Sequence, residues 1–132
     1  MKMLLAYDGG EPAKRALDRA VELAKATGST IDVVSVVPEP DGRSPSESAD
    51  VREVHARQLQ EARTLLDAEG LTCELIEPDG EVAETIERIA EDGAYDMVVV
   101  GSRGLGAFSS FFGGSVSEHV AAHAGPTVLI AR

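Results

Sequence analysis

The chain has no tryptophan, and aromatic residues make up only 4 % of its 132 residues. Its ordinary apolar content, 43 %, is carried almost entirely by other side chains. It has no run of about 18 apolar residues, which excludes a membrane-spanning helix. The opening Met1–Asp8 carries one basic residue, Lys2, and a few apolar residues, too short a run for a signal peptide, and reads as a first strand. The single cysteine, Cys73, has no partner for an internal disulfide, which fits a reducing, cytoplasmic setting. Basic residues are scarce, 12 against 23 acidic, for a formal charge of −11. With no basic cluster, this disfavours nucleic acid and anionic membrane as partners. Only Lys2, Lys14 and Lys25 are lysines, a balance that suits either a high-salt cytoplasm or an ordinary acidic protein. Like charges this numerous repel at low salt and are screened at molar salt. Also missing are the phosphate loop G-x-x-x-x-G-K-[ST], a G-x-G-x-x-G after the first strand, and any clear general base or catalytic dyad.

What is present alternates. Met3–Tyr7 reads as a strand, and Glu11-Pro12 starts a helix whose Ala16, Leu17, Ala20, Val21 and Ala24 keep a 3.6 period up to Gly28. Ile31–Val37 is a second strand, apolar on both faces. Pro38–Asp50 is polar and reads as a loop, followed by a long helix from about Ser48 to Glu69. Leu71–Glu77 is a third strand, and Glu81 to Asp92 a third helix with Val82, Ala83, Ile86, Ile89 and Ala90 on one face. Met97–Val100 and Thr127–Ala131 are the fourth and fifth strands. Length and pattern predict a single domain over residues 1–132, an α/β fold with an open five-stranded parallel sheet covered by helices on both faces. Two strand orders are open, 3-2-1-4-5 and 2-1-3-4-5; only the first brings the ends of strands one and four together.

The stretch between the fourth and fifth strands carries the chemistry. Gly101-Ser102-Arg103-Gly104-Leu105-Gly106 allows tight turns and close approach of a ligand, and Gly113-Gly114-Ser115 opens an amphipathic helix. A strand, a glycine loop and a helix start present backbone N–H groups and a positive helix end to an anion.

The pattern Gly101-x-x-Gly104, then Leu105–Gly113, then Gly114-Ser115 resembles the nucleotide-binding signature of the universal stress protein family. So do Tyr7-Asp8-Gly9-Gly10 before an Ala-rich helix and His123-Ala124-Gly125-Pro126-Thr127-Val128-Leu129-Ile130. The resemblance covers nearly the whole chain. It implies the 3-2-1-4-5 order, a Rossmann-like fold, and a homodimer paired through the last strand, Thr127–Ala131. It also implies a small ATP-binding regulatory module of the stress response. Asp8 would lie at the nucleotide and hold a Mg or Mn ion beside the phosphates. Ala6 would approach the adenine or ribose, Val36 would touch adenine, and Val100 and Gly101 would lie under the ribose. Gly104 would let the loop reach the phosphates, Arg103 would clamp one, and Gly114, Ser115 and Val116 would bind phosphate through N–H groups. The chain departs from the family in lacking Lys or Arg in Leu105–Gly113, in placing Gly113 where a bulky residue is usual, and in clustering Phe108, Phe111 and Phe112.

Plainer roles exist for each of these residues. Asp8 also suits a turn or helix cap, Ser115 an N-cap, Arg103 a surface ion pair, and the phenylalanines loop packing. His119 and His123 have the spacing of a two-histidine metal site, but the sequence offers no evident third ligand. His55 reads as a solvated helix residue and Cys73 as core. Two other functions compete with the nucleotide module: a dimeric interaction protein with a degenerate pocket, and a slow metal-dependent ATP hydrolase.

Overall fold

The computed structural model describes residues 1–39, 42–102 and 114–132. Among them are β1 (Lys2–Ala6), α1 (Glu11–Thr27), β2 (Thr30–Val34), α2 (Pro45–Ala68), β3 (Leu75–Ile76), α3 (Val82–Asp92), β4 (Met97–Gly101), α4 (Gly114–His123) and β5 (Thr127–Ala131). The sheet runs in the order β3-β2-β1-β4-β5, every pair parallel.

Side chains alternate across a strand, so each strand feeds both faces of the sheet. Met3, Leu5 and Tyr7 join Ile31, Val33, Val99 and Ala131 in a cluster closed by Ala13, Ala16, Leu17 and Ala20 of α1 and Leu59, Ala62 and Leu66 of α2. Leu4 and Ala6 join Val34, Val98 and Val100 on the opposite face, under Ile86 and Ala90 of α3 and Val116 and Val120 of α4. The helix pairs α1/α2 and α3/α4 therefore cover opposite faces. Both strands and helices are short on aromatics, and the two large ones within these clusters carry their hydroxyls to acids: Tyr7 donates to Glu61, and Tyr95 donates to Asp32 at 2.7 Å. Burial raises both phenols above their usual range, with the acid partners adding to the shift. α1 ends where expected, Gly28 taking the left-handed φ of 71° and donating its N–H to the Ala24 carbonyl.

Three boundaries differ from the sequence pattern. β2 leaves the regular ladder after Val34, although Val37 still bridges to Asp79. β3 keeps only two residues of the expected Leu71–Glu77, because the backbone before it is claimed by side chains: the Glu74 N–H donates to Asp32 Oδ1 at 3.0 Å, and Arg63 Nη2 donates to the Cys73 carbonyl at 3.1 Å. Cys73 is only partly buried, at the margin of the core. α2 begins earlier than expected, at Pro45, inside the segment that reads as loop. There Ser44 Oγ accepts from the Glu47 N–H at 3.2 Å, and Glu47 Oε2 accepts from the Ser44 N–H at 2.7 Å, a complete capping box with proline in the first turn. Among the described residues no helix is long and apolar enough to cross a membrane.

The first three turns of α2 are poorly buried, Val54 being 43 % exposed, so this helix start depends on its cap. Ser44→Ala is expected to cost about 1 kcal/mol of unfolding free energy. Urea denaturation followed by circular dichroism checks this: the midpoint falls and the slope stays unchanged.

Candidate functional site

In a parallel sheet the helices run back against the strands, so helix N-termini gather at the carboxyl ends of the strands. Here the connections from β1 and β4 leave in opposite directions, α1 to one face and α4 to the other. The crevice between those two exits is where ligands of open α/β sheets bind. α1 starts at Gly10 without a side-chain cap, and α4 starts at Gly114. Two positive helix ends thus bracket the edge where β1 and β4 stop.

Asp8 stands at this edge, directly after β1. Its Oδ1 accepts the Gly10 N–H at 2.9 Å, which fixes the turn into α1. Burial pushes the carboxyl above its ordinary range, while the Gly10 N–H, its own N–H and nearby His55 pull the other way. A half-buried acid of this kind gains by taking up a proton or a cation. Gly101 closes β4 on the other side. A Cβ there would lie 2.3 Å from the Pro12 carbonyl oxygen, so only glycine lets β4 end against the first turn of α1.

Ala6, Val36, Val100 and Val116 come together in one buried cluster beneath the crevice. Their side chains are core; what they offer upward is backbone. The Ser35 N–H donates to Ile76 and the Val37 N–H to Pro78, both towards β3. Alternation along a parallel strand therefore turns the Val36 N–H and carbonyl towards the β1 side, where the chain has already left the sheet at Asp8. Gly114 and Ser115 form the first residues of α4. Arg103 and Gly104 lie outside the described residues, as do Leu105–Gly113 with Phe108, Phe111 and Phe112.

The sequence pattern missed a polar group beside Asp8. His55, expected in solvent, is half-buried, and its Nδ1 lies 2.6 Å from Ser35 Oγ. Burial pushes its imidazolium down, against the attraction of Glu77 and Asp8. Among the described residues Gln58 Oε1 and Glu77 Oε2 are buried without a hydrogen-bond partner, and Gln58 covers Gly9. On the far side Arg15 Nη2 donates to the Ser102 carbonyl at 3.3 Å, at the start of the glycine loop. Buried acceptors left unpaired are uncommon and suit a ligand that brings donors. Ser35, a lone hydroxyl within an apolar run, was the visible signal; His55 gave none. A surface hollow of about 370 Å³ lies elsewhere, between Arg15, Leu17 and Glu22 of α1, Leu65 of α2 and Glu69 just after it. It is open and lined mainly by charged side chains.

The topology, with a switch point between β1 and β4, defines a Rossmann-like α/β protein. The model of the universal stress protein family matches residues 1–132, and the chain belongs to that family. It is 36 % identical to the universal stress protein in the QAH/OAS sulfhydrylase 3' region of Thermus aquaticus, over 98 % of this chain and 97 % of that one. It is 30 % identical to the universal stress protein YxiE of Bacillus subtilis, over 99 % and 98 %. A crystal structure of a family protein from Burkholderia pseudomallei superposes with a TM-score of 0.78 at 30 % identity, covering 98 % of this chain and 93 % of that one. Other structures of the same fold carry adenine nucleotides: one family protein with cAMP, one from Arabidopsis thaliana with AMP and one from Archaeoglobus fulgidus with dAMP.

Two outcomes follow from the edge geometry. Gly101→Ala is expected to lower stability by about 1–3 kcal/mol with no ligand present, because the clash is with backbone; thermal melting of nucleotide-free protein checks it. His55 has a folded pKa below its unfolded one, so the unfolded state binds the extra proton. Stability is then complete above the unfolded histidine pKa and falls as pH drops through it. His55→Gln should flatten that part of the stability profile, and NMR should show His55 titrating below the usual histidine range.

Proposed function

We propose that the protein binds an adenine nucleotide in the crevice between β1 and β4 and acts as a regulatory module of the stress response, with ATP and a Mg or Mn ion as its full ligand. The observation that carries this reading is the adjacency of β1 and β4, which sets Asp8 and the N-terminus of α4 at one edge. The ligands of the related structures, cAMP, AMP and dAMP, share adenine and a phosphate. In the reading, adenine lies over Ala6 and Val36, whose backbone reads its edge, and the ribose lies at Val100 and Gly101. The phosphates run to the N–H groups of Gly114, Ser115 and Val116, with Arg103 and Gly104 in the intervening loop.

Asp8 fits the cation. Mg²⁺ with a nucleotide usually takes one or two carboxylates and fills its shell with phosphate oxygens and water. A single half-buried carboxylate already raised by burial supplies one such ligand. When bound, the ion would offset phosphate charge in a chain of formal charge −11. β5 forms one edge of the sheet, with Val128, Leu129 and Ile130 only partly covered. An apolar, unpaired edge of this kind favours pairing with a second copy, so a homodimer through Thr127–Ala131 belongs to the same reading.

Calorimetric titration of nucleotide-stripped protein tests it. Saturable binding of ATP with Mg²⁺ is expected, weakened about tenfold or more in Asp8→Asn, a change of about 1.4 kcal/mol or more. Asn keeps the acceptor for the Gly10 N–H, so the turn survives. Gly114→Val should reduce affinity for ATP and AMP alike, with circular dichroism unchanged. Absence of binding to ATP, AMP and cAMP at both low and molar salt would defeat the reading. Phosphate release in the same samples reports hydrolysis, and sedimentation equilibrium reports the dimer.

A further inference from the structure

The histidine pair that lacked a third ligand in the sequence gains one in the fold. His119 and His123 sit one turn apart on α4, their ring centroids 4.2 Å apart and their planes 29° from parallel. Glu87 reaches them from α3, with Oε1 lying 2.6 Å from His119 Nδ1. One ligand atom from each of Glu87, His119 and His123 lies within 4.8 Å of the others. We propose that these three side chains bind a divalent transition-metal ion, cross-linking α3 to α4 at a place separate from the nucleotide crevice.

Three features argue for an ion over a plain ion pair. First, His123 Nδ1 lies 2.9 Å from the His119 carbonyl oxygen. A carbonyl only accepts, so Nδ1 carries the proton and the Nε2 lone pair is left for a metal. This is the arrangement that orients metal-bound histidines. Second, Glu87 is well covered, its side chain 16 % exposed against 43 % for His119, so the carboxylate is held while the imidazole can turn. Third, the ligand set is right. Two imidazoles and a carboxylate suit Zn²⁺ and its neighbours, and three protein ligands leave one position for water or a further group. Ligands about 2.0–2.1 Å from a tetrahedral ion stand roughly 3.4 Å apart. One ligand atom of each side chain already lies within 4.8 Å of the others, so the closure that an ion requires is short.

The site lies towards the C-terminal end of α4, while the N-terminal residues of the same helix, Gly114 onward, serve the proposed phosphate contacts. Glu87 and the two histidines belong to neither the β1 nor the β4 edge. The ion therefore binds whether or not a nucleotide does.

Zn²⁺ alone, titrated calorimetrically into chelator-treated protein without nucleotide, tests the proposal. One ion per chain is expected, with the imidazole resonances of His119 and His123 moving together in NMR spectra. Glu87→Gln and His123→Ala should each weaken binding about tenfold or more. His123 is exposed and Glu87→Gln keeps the size of the side chain, and circular dichroism confirms that the variants fold. Asp8→Asn and His55→Gln, which alter the crevice, should leave zinc affinity unchanged. Failure to bind at millimolar zinc overturns the site. So does binding that survives both Glu87→Gln and His123→Ala, or that disappears with Asp8→Asn.

Discussion

β1 and β4 lie side by side in parallel register from Met3↔Met97 to Leu5↔Val99, joining the start of the chain to its last third. β1 is consequently the central strand, flanked by β2 and β4, and Leu4, Leu5 and Ala6 are almost wholly covered. Because the chain turns to one face after β1 and to the other after β4, the sheet opens between these two strands. Every proposed contact with a nucleotide depends on this one pairing. The same pairing explains Gly101: α1 must pass directly over the end of β4 to reach its own face, and the Pro12 carbonyl leaves no room for a side chain.

Period-2 and period-3.6 patterns were enough to recover the alternation of strands and helices, since Met3–Tyr7, Met97–Val100 and Thr127–Ala131 are apolar on both faces and have no other place to go. The partition into two clusters follows from the same alternation. What the pattern could not choose was the strand order. Hydrophobic runs report burial, not neighbours, and only the family resemblance favoured the arrangement in which β1 meets β4. The site was legible in part for a related reason. Asp8 and Gly114-Ser115 stand at turns marked by glycine, whereas His55 lies within a helix whose burial depends on where α2 crosses the sheet. Glu87 looked like one acid among many, and only the packing of α3 on α4 sets it against His119.

Boundaries failed where side chains compete with the backbone. The segment before β3 has strand composition, yet Asp32 takes the Glu74 N–H and Arg63 the Cys73 carbonyl, and the ladder shortens to Leu75–Ile76. The opposite happened at α2. Ser44-Pro45-Ser46-Glu47 has loop composition, and its three-residue spacing of serine and glutamate is also a helix start. Composition and spacing gave conflicting readings there, and the specific hydrogen bonds decided between them.

An acidic chain that takes up an anion must build local exceptions to its own field. In the proposed reading the N-termini of α1 and α4 supply such exceptions as fixed positive ends, and their N–H groups need no counterion. Asp8 looks like a contradiction in that setting, since a carboxylate beside phosphates is repulsive. Its burial resolves it. A carboxyl already held above its ordinary range carries little penalty for sharing its charge with a bound ion, and an ion held there turns the repulsion into attraction. In the proposed reading the acid at the end of β1 is therefore better matched to a metal–nucleotide complex than to a bare nucleotide, and nucleotides with fewer phosphates should depend on it less.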